Sequence, residues 1–525
     1  MQLGQHRAQA IPFWCSILLA CCMFVGLPAC SDGSQNAAEN AALAEQALAS
    51  NDLRTARSAI IAAIQERDDI LAYHLLRGRI ELASGSPSAA YDAYSDARAL
   101  DAANSEALLA VAQLGLTTGN LQQSFDATEE ILILAPGNLD ALLIRGIHAI
   151  VRRNYPEALE FGEKILAIAP GHEGGVILKS RALFMSRKPR EALSALDEIT
   201  GSAADSEPAA LTRLEIFRAL RQPRELSTEF IRLRELRPED AALAVDEANF
   251  RFKVGERQSA HQLVTDVLAA TDTDAERAES ASALWGEYGV QDLPSDALTR
   301  INGSGSTAAR QTLARLLIRL DRVPEAAATL RALPESARSA LQARYLAMIG
   351  KSADARRLAE ALLSRDSTNC DALIAVSESA LALGQNESAL RYAQQAAAEC
   401  PVQPAGWMAA ANAYKQLERD GGVSRVYVQA LDTNKQSTEL TAAYSNWLAS
   451  EGRSREAVAM ARRLTRYAPA LMSAWKLYGE LCRTLDPTCI SAAEGGMENA
   501  KTLFGIDLPP GTPPPNGLFG RLVER

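Results

Sequence analysis

Small residues return every 34 positions along most of this chain, and this period constrains the fold more than any other feature. The first series is Ala56, Ala90, Ser124, Ala158, Ala192, Leu226 and Ala260. The second series, in a later part of the chain, is Ala355, Ala389, Val423 and Ala457. A fixed period of about 20 to 50 residues indicates supersecondary units that bury their apolar faces by stacking on one another.

The composition indicates that these units are built from helices. Ala, Leu, Arg and Glu are abundant, aromatic residues make up only 5% of the chain, and runs of β-branched residues are scarce. These residue types favour helices over strands. With 525 residues the chain is longer than one compact domain usually is, but a stack of repeats reaches this length as a single structure.

The residues within one period resemble the tetratricopeptide repeat, a 34-residue helix-turn-helix unit. Residues 139–172 have Gly146 at position 8 of such a repeat, Ala158 at position 20 and Pro170 at position 32, and Trp407 supplies the aromatic residue of position 4 in a later unit. The resemblance implies an all-α superhelical solenoid of about 11–13 repeats with a C-terminal capping helix. It also implies that positions 8 and 20 face each other where the two helices of a repeat cross.

The N-terminus has the pattern of a secretory signal peptide. A short segment with Arg7 and no acidic residue is followed by an apolar run, residues 11–26. This run is shorter than the roughly 20 apolar residues of a spanning helix, so a permanent membrane anchor is the weaker interpretation.

Residues 27–30, Leu-Pro-Ala-Cys, resemble the lipobox of bacterial lipoproteins, although Pro28 departs from its usual second residue. The resemblance implies cleavage before Cys30, acylation of its thiol and anchoring in the bilayer. Ser31 follows in place of an acidic residue, which implies delivery to the outer membrane, facing the periplasm. The alternatives are an ordinary signal-peptidase cut, which would release the protein into the periplasm, and an uncleaved anchor.

Charge and motifs restrict the classes of function. The net charge of −10 argues against nucleic acid as a partner and against electrostatic adhesion to anionic lipid. The sequence contains no Gly-Lys-Ser/Thr phosphate loop, no His-Glu-x-x-His, no Gly-x-Ser-x-Gly and no Cys-x-x-Cys. The histidines beyond the signal occupy different repeat positions: His74, His148, His172 and His261. We therefore expect no catalytic residues, no metal site and no cofactor.

Four cysteines remain beyond Cys30, which is an even number for an oxidising compartment. Cys370 and Cys400 occupy positions 1 and 31 of one repeat, and two antiparallel helices bring these ends together. Cys482 and Cys489 flank a helix end followed by a proline turn. The spacing predicts the disulfides Cys370–Cys400 and Cys482–Cys489, with buried free thiols as the alternative.

Tetratricopeptide repeats bind partners in a groove lined by positions 2, 5, 9, 12 and 13 of the first helix. Carried over to this chain, these positions in the third to fifth repeats imply an apolar partner groove. Its residues are Leu109, Leu116, Leu143, Ile147, Ile150, Val151, Ile177, Phe184 and Met185. The alternative is that a tight superhelix buries them between neighbouring repeats. Toward the C-terminus the groove becomes polar, with Asn412, Lys415, Gln416 and Asn446.

These observations predict the following organisation. The segments are a lipoprotein signal peptide (1–29), the lipidated Cys30 with a flexible tether (30–40), an N-terminal repeat array (41–273), irregular helical repeats or a joint (274–335), a C-terminal repeat array (336–471), a capping-helix region (472–503) and a Pro-rich tail (504–525). Within the irregular part, residues 301–307 are the most flexible-looking stretch. A joint and a shortened repeat with a long loop are equally favoured there.

The function that these features favour is a non-catalytic, lipid-anchored scaffold that binds proteins or peptides of the cell envelope during assembly or export. The chain is loosely similar to tetratricopeptide lipoproteins of envelope assembly and of exopolysaccharide or PEP-CTERM systems. The alternative is direct binding of a polysaccharide, since aromatic residues cluster in the C-terminal half. They are Trp407, Tyr414, Tyr427, Tyr444 and Trp447.

Overall fold

The computed structural model describes residues 32–199, 201–291 and 293–505. The predicted signal peptide, Cys30 and all but the first two residues of the predicted tail lie outside the described residues. These ranges contain helices and connecting turns and no strand, which confirms the all-α prediction.

Twenty-eight α-helices follow one another in the described part of the chain. The first fourteen are α1 (Asp32–Ala49), α2 (Leu53–Glu66), α3 (Leu71–Ala83), α4 (Pro87–Leu100), α5 (Ser105–Thr117), α6 (Leu121–Leu134), α7 (Leu139–Val151), α8 (Tyr155–Ile168), α9 (Glu173–Met185), α10 (Pro189–Leu196), α11 (Glu207–Leu220), α12 (Pro223–Leu236), α13 (Ala241–Lys253) and α14 (Arg257–Ala269). The second fourteen are α15 (Ala275–Tyr288), α16 (Ala297–Ser304), α17 (Thr307–Arg319), α18 (Val323–Arg331), α19 (Glu335–Met348), α20 (Ser352–Leu363), α21 (Cys370–Ala382), α22 (Asn386–Glu399), α23 (Pro404–Gln416), α24 (Asp420–Thr433), α25 (Thr438–Ser450), α26 (Ser454–Tyr467), α27 (Met472–Leu485) and α28 (Ile490–Lys501).

Most consecutive helices pack as pairs, an odd-numbered A helix followed by an even-numbered B helix. The last pair, α27 and α28, forms the C-terminal cap. The chain divides into two compact units, 1–144 and 145–525, and the boundary falls within α7. Each unit has its own helix pairs and its own apolar clusters.

The small residues of the 34-residue period lie where the helices of a pair cross. All eleven residues of the two series are at most 1% exposed. In three repeats the residue at position 8 is a serine whose hydroxyl donates to the carbonyl of position 20. The three hydrogen bonds are Ser180 to Ala192 at 2.8 Å, Ser377 to Ala389 at 2.9 Å and Ser445 to Ala457 at 3.1 Å. A larger side chain would separate the two backbones, and this explains the period.

Capping and turn residues set where each helix begins and ends. Asn369 accepts a hydrogen bond from the backbone of Ala372 at 3.1 Å and so starts α21. The turn to α22 contains Gly384, whose φ of +72° lies in the left-handed region that favours glycine. Pro404 occupies the first turn of α23, where its missing N–H costs no helical hydrogen bond. Such residues repeat the helix-turn-helix pattern along the chain.

The segment 274–335 departs from the regular pairing of helices. α16 and α18 have only 8 and 9 residues, and a long connection follows Tyr288. α16 packs on α14, and α17 packs on both α15 and α18. The stretch 301–307, expected to be flexible, is helical up to Ser304. Its hydroxyl donates to the carbonyl of Ala269 at 2.8 Å, and Ser306 caps α17. A side chain on Gly305 would lie 2.6 Å from the carbonyl oxygen of Leu268, so this position requires glycine.

Two further expectations differ from the structure. The predicted flexible tether, 30–40, is helical from Asp32 onward, where α1 begins. The sequence of α1 is rich in Ala, which favours a helix, and Ala37 and Ala44 are fully buried. The cap is a pair of helices instead of the single predicted helix, and Gly496 lets it close because a side chain there would overlap Trp475.

Candidate functional site

The nine predicted groove residues do not form a single exposed surface. Three of them, Ile147, Ile150 and Ile177, are at most 5% exposed and belong to the core. Leu109, Leu116, Leu143, Phe184 and Met185 are half-buried, and only Val151 is exposed. In this structure these three isoleucines are therefore not accessible to a partner. This outcome follows the alternative stated above.

The predicted polar residues of the C-terminal repeats are exposed, in contrast to the three buried isoleucines. Asn412, Lys415 and Gln416 on α23 are exposed, and so is Asn446 on α25. Asn412 and Asn446 occupy position 9 of two consecutive A helices. A row of exposed amide and ammonium groups on consecutive helices provides donors and acceptors for a bound chain.

Charged side chains link three A helices in the preceding repeats, a feature that the sequence analysis missed. The carboxylate of Asp371 on α21 accepts from Arg315 of α17 at 3.0 Å and from Arg344 of α19 at 3.2 Å. Asp371 and Arg344 are buried. The sequence does contain an indication of this charge cluster. Position 9 of three successive repeats is a charged residue, namely Arg315, Arg344 and Glu378.

Glu378 lies in the same group of charges and is half-buried. Burial raises the pKa of its carboxyl, the negative charge of Asp371 adds to this effect, and Arg344 opposes it. Arg344 also retains a buried Nε without a hydrogen-bond partner among the described residues.

A similar row of charges crosses α9, α11 and α13. Arg181 donates to Thr212 at 3.1 Å, and Arg218 pairs with Asp246 at 2.5 Å. Burial lowers the pKa of Arg181 to about 10 and raises the pKa of Glu215, although half of the Glu215 side chain is exposed. Ionic contacts thus run from one A helix to the next.

The C-terminal arm, which we define as residues 502–505, contacts α11 and α13 of the same unit. Lys253 donates to the carbonyls of Ala470 at 2.7 Å and of Leu503. Phe504 is 5% exposed and contacts Phe250 edge-to-face, with 5.4 Å between the ring centroids. Phe504 is the first residue of the predicted Pro-rich tail. Its large apolar ring is nevertheless more stable when it is buried against the neighbouring helices.

The four cysteines form two bonds. Cys370 is joined to Cys400 and Cys482 to Cys489, with Cα–Cα distances of 6.1 and 5.5 Å. The first bond links the start of α21 to the end of α22, and the second closes the turn between α27 and α28.

The aromatic residues of the C-terminal half are largely in the core. Tyr427, Tyr444 and Trp447 stack on one another, with centroids 5.1 and 6.0 Å apart, and each is at most 7% exposed. They are therefore not available as a platform for sugars. A cavity of about 290 Å³ lies beside them, lined by Trp407, Tyr414, Arg425, Gln394 and Gln429 among others.

No group of three or more His, Cys, Asp or Glu side chains in the described ranges has an arrangement that would hold a metal ion. Across the same ranges, every helix is either too short or too polar to cross a bilayer.

Comparison with known proteins gave matches among solved structures alone. No family model and no curated protein matches the chain. Pseudomonas aeruginosa PilF is 14% identical, and the match covers 40% of this chain and 96% of PilF with a TM-score of 0.32. PilW, a type IV pilus biogenesis factor, is 16% identical, and the match covers 39% of this chain and 96% of PilW with a TM-score of 0.33. A tetratricopeptide repeat protein of Parabacteroides merdae is 14% identical, and the match covers 53% of this chain and 98% of that protein with a TM-score of 0.30.

At these identities and TM-scores, the fold assignment rests on the helices of the chain itself. Helix pairs with a 34-residue period, small buried residues at positions 8 and 20 and glycine turns define a tetratricopeptide-type helical solenoid.

Proposed function

We propose that this protein is a lipid-anchored, periplasm-facing scaffold whose A helices bind proteins or peptides of the cell envelope. The observation that carries the proposal is the row of exposed polar side chains on α23 and α25, namely Asn412, Lys415, Gln416 and Asn446. A solenoid that buries its apolar residues and leaves polar ones exposed on consecutive helices is suited to binding an extended chain.

A pull-down from detergent-solubilised envelopes tests the scaffold function. We expect the wild type to retain a set of proteins that the double variant Asn412→Ala/Asn446→Ala loses. A matched control is Val428→Ala/Thr433→Ala, which alters exposed residues of the B helix α24. If both double variants retain the same proteins as the wild type, the proposed binding surface is wrong.

The lipid anchor is a separate part of the proposal and has its own test. Its support is the lipobox-like segment 27–30, which ends at Cys30. Metabolic labelling with a clickable fatty acid should mark the wild type, and Cys30→Ala should abolish the label. A label of equal strength in Cys30→Ala would exclude acylation at this thiol, and fractionation of the two membranes would test the outer-membrane location.

The cavity beside Tyr414 supports the second candidate function, binding of a polysaccharide. Sugars bind proteins through aromatic faces and amide or guanidinium groups, and the cavity offers Tyr414, Gln394, Gln429 and Arg425. Saturation-transfer NMR with purified envelope polysaccharide should show contacts that Arg425→Ala/Gln429→Ala removes. Equal transfer to the wild type and to this variant would exclude the cavity.

A further inference from the structure

The contacts of the C-terminal arm resemble those of a bound peptide more than those of a packed helix. Lys253 donates to the carbonyl of Leu503, and Asn249 donates to the carbonyl of Gly505 at 3.4 Å. Both donors are side chains, and both acceptors are backbone oxygens. Hydrogen bonds to backbone carbonyls contribute affinity for a bound chain, but they do not depend on the identity of most of its side chains.

The donors occupy the positions that line a partner groove in this type of repeat. In the repeat that begins at Ala241, Asn249 is position 9 and Lys253 is position 13. Gly505 also lies against position 12 of the preceding repeat, since a side chain added to it would lie 3.5 Å from Arg218 Cδ. The arm therefore lies where a ligand of α11 and α13 would lie.

One aromatic side chain anchors the arm. The ring of Phe504 contacts Phe250, which in turn contacts Phe230 with 5.4 Å between the centroids. The cluster continues into α11 through Leu214 and Phe217. The other specific side-chain contact is a hydrogen bond of 2.8 Å from Arg221 to the hydroxyl of Thr502.

We infer that the surface of α11 and α13 is a binding site for an extended partner segment that presents one aromatic side chain with a free backbone carbonyl on the residue at each side of it. In the structure described here, the C-terminal arm occupies this site as an intramolecular competitor. The inference uses one part of the proposed function, namely that the A helices bind peptides. Its site is on α11 and α13, whereas the proposed function concerns α23 and α25.

The covalent link makes the arm an effective competitor. A tethered segment acts at an effective concentration on the order of mM. A partner segment of equal intrinsic affinity therefore binds weakly until the arm is released. Variants that weaken the arm should expose the site without changing the residues that form it.

The test measures binding of a fluorescein-labelled peptide with the sequence of residues 499–511 to the full chain by anisotropy. We expect Phe504→Ala to bind this peptide at least tenfold more tightly than the wild type, and Phe504→Leu to lie between them. Leu503→Ala is the matched control, because it alters the arm but keeps Phe504 and every carbonyl. A peptide in which alanine replaces the phenylalanine should not bind, and Phe504→Ala/Lys253→Met should bind weakly.

Several results would overturn the inference. Phe504→Leu retains an apolar side chain, so it tests the site even if Phe504→Ala fails to fold. Absence of peptide binding by folded Phe504→Leu and Phe504→Ala would show that the arm is structural only. Light scattering that shows an arm-exchanged dimer of Phe504→Leu would assign the site to a second copy of this chain. Neither result depends on the envelope pull-down, so the two proposals fail separately.

Discussion

Single residues explain why the 34-residue period exists, and the sequence was sufficient to find them. The alanines of the period are fully buried, and serine replaces a position-8 residue where its hydroxyl can donate to position 20. What the sequence did not show is the environment of a particular titratable side chain. The sequence gives only the repeat position of His148, and its burial is visible only in the structure.

We expect His148 to make stability depend on pH. Burial, reinforced by Arg145 and Arg152, lowers the pKa of His148 from 6.5 to about 4. Between these values the unfolded chain binds a proton that the folded chain does not, so the free energy of unfolding falls as the pH decreases from 6.5 toward 4. The melting temperature of His148→Gln should fall less than that of the wild type between pH 7 and pH 5. Parallel profiles would contradict the prediction.

At the scale of helices, Asp371 links α17, α19 and α21. Asp371→Ala removes the carboxylate and leaves the buried Arg344 and the half-buried Arg315 without it, and loss of a partner from a buried ion pair costs about 3 kcal/mol or more. Urea denaturation should show this loss in the free energy of unfolding. The control Asp354→Ala breaks the ion pair to Arg357, whose side chains are both largely exposed, and should change stability by less than about 0.5 kcal/mol.

The disulfides join helices within a pair, and their removal should have graded effects. Cys370 and Cys400 are 30 residues apart, whereas Cys482 and Cys489 are 7 apart. The loop-closure model gives about 3.5 kcal/mol for the longer loop and about 2 kcal/mol for the shorter one. Urea denaturation of the two double Cys→Ser variants measures both values. Mass spectrometry without reduction should find none of the four thiols alkylatable, and four alkylated thiols would exclude both bonds.

At the scale of the whole molecule, the contact between the C-terminal cap and α13 depends on Lys253. Its ammonium donates to carbonyls of residues 470, 500 and 503, contacts that Lys253→Met removes. Hydrogen bonds to a charged group contribute about 1.5 to 3 kcal/mol, so amide exchange in α27 and α28 should accelerate by roughly tenfold or more. Lys501→Met is the control, because Lys501 pairs only within its own helix, with Glu498. Equal exchange rates in both variants would contradict the prediction.

The chain by itself determined the repeat and the pairs of cysteines. These features depend on neighbours within about 34 residues, where spacing, capping residues and small side chains act directly. The irregular segment was located for the same reason, because Ala297 and Ala326 break the spacing.

Only the tertiary structure decided which side chains of the A helices are exposed. Ile147 and Asn412 occupy the same repeat position, yet one is buried and the other is exposed. The structure also decided that Phe504 packs on Phe250, more than 250 residues earlier in the chain. The physical reason is that burial depends on the neighbours that a helix acquires through packing. A periodic sequence specifies contacts between adjacent repeats, but contacts between distant repeats depend on how the small rotations from one repeat to the next add up.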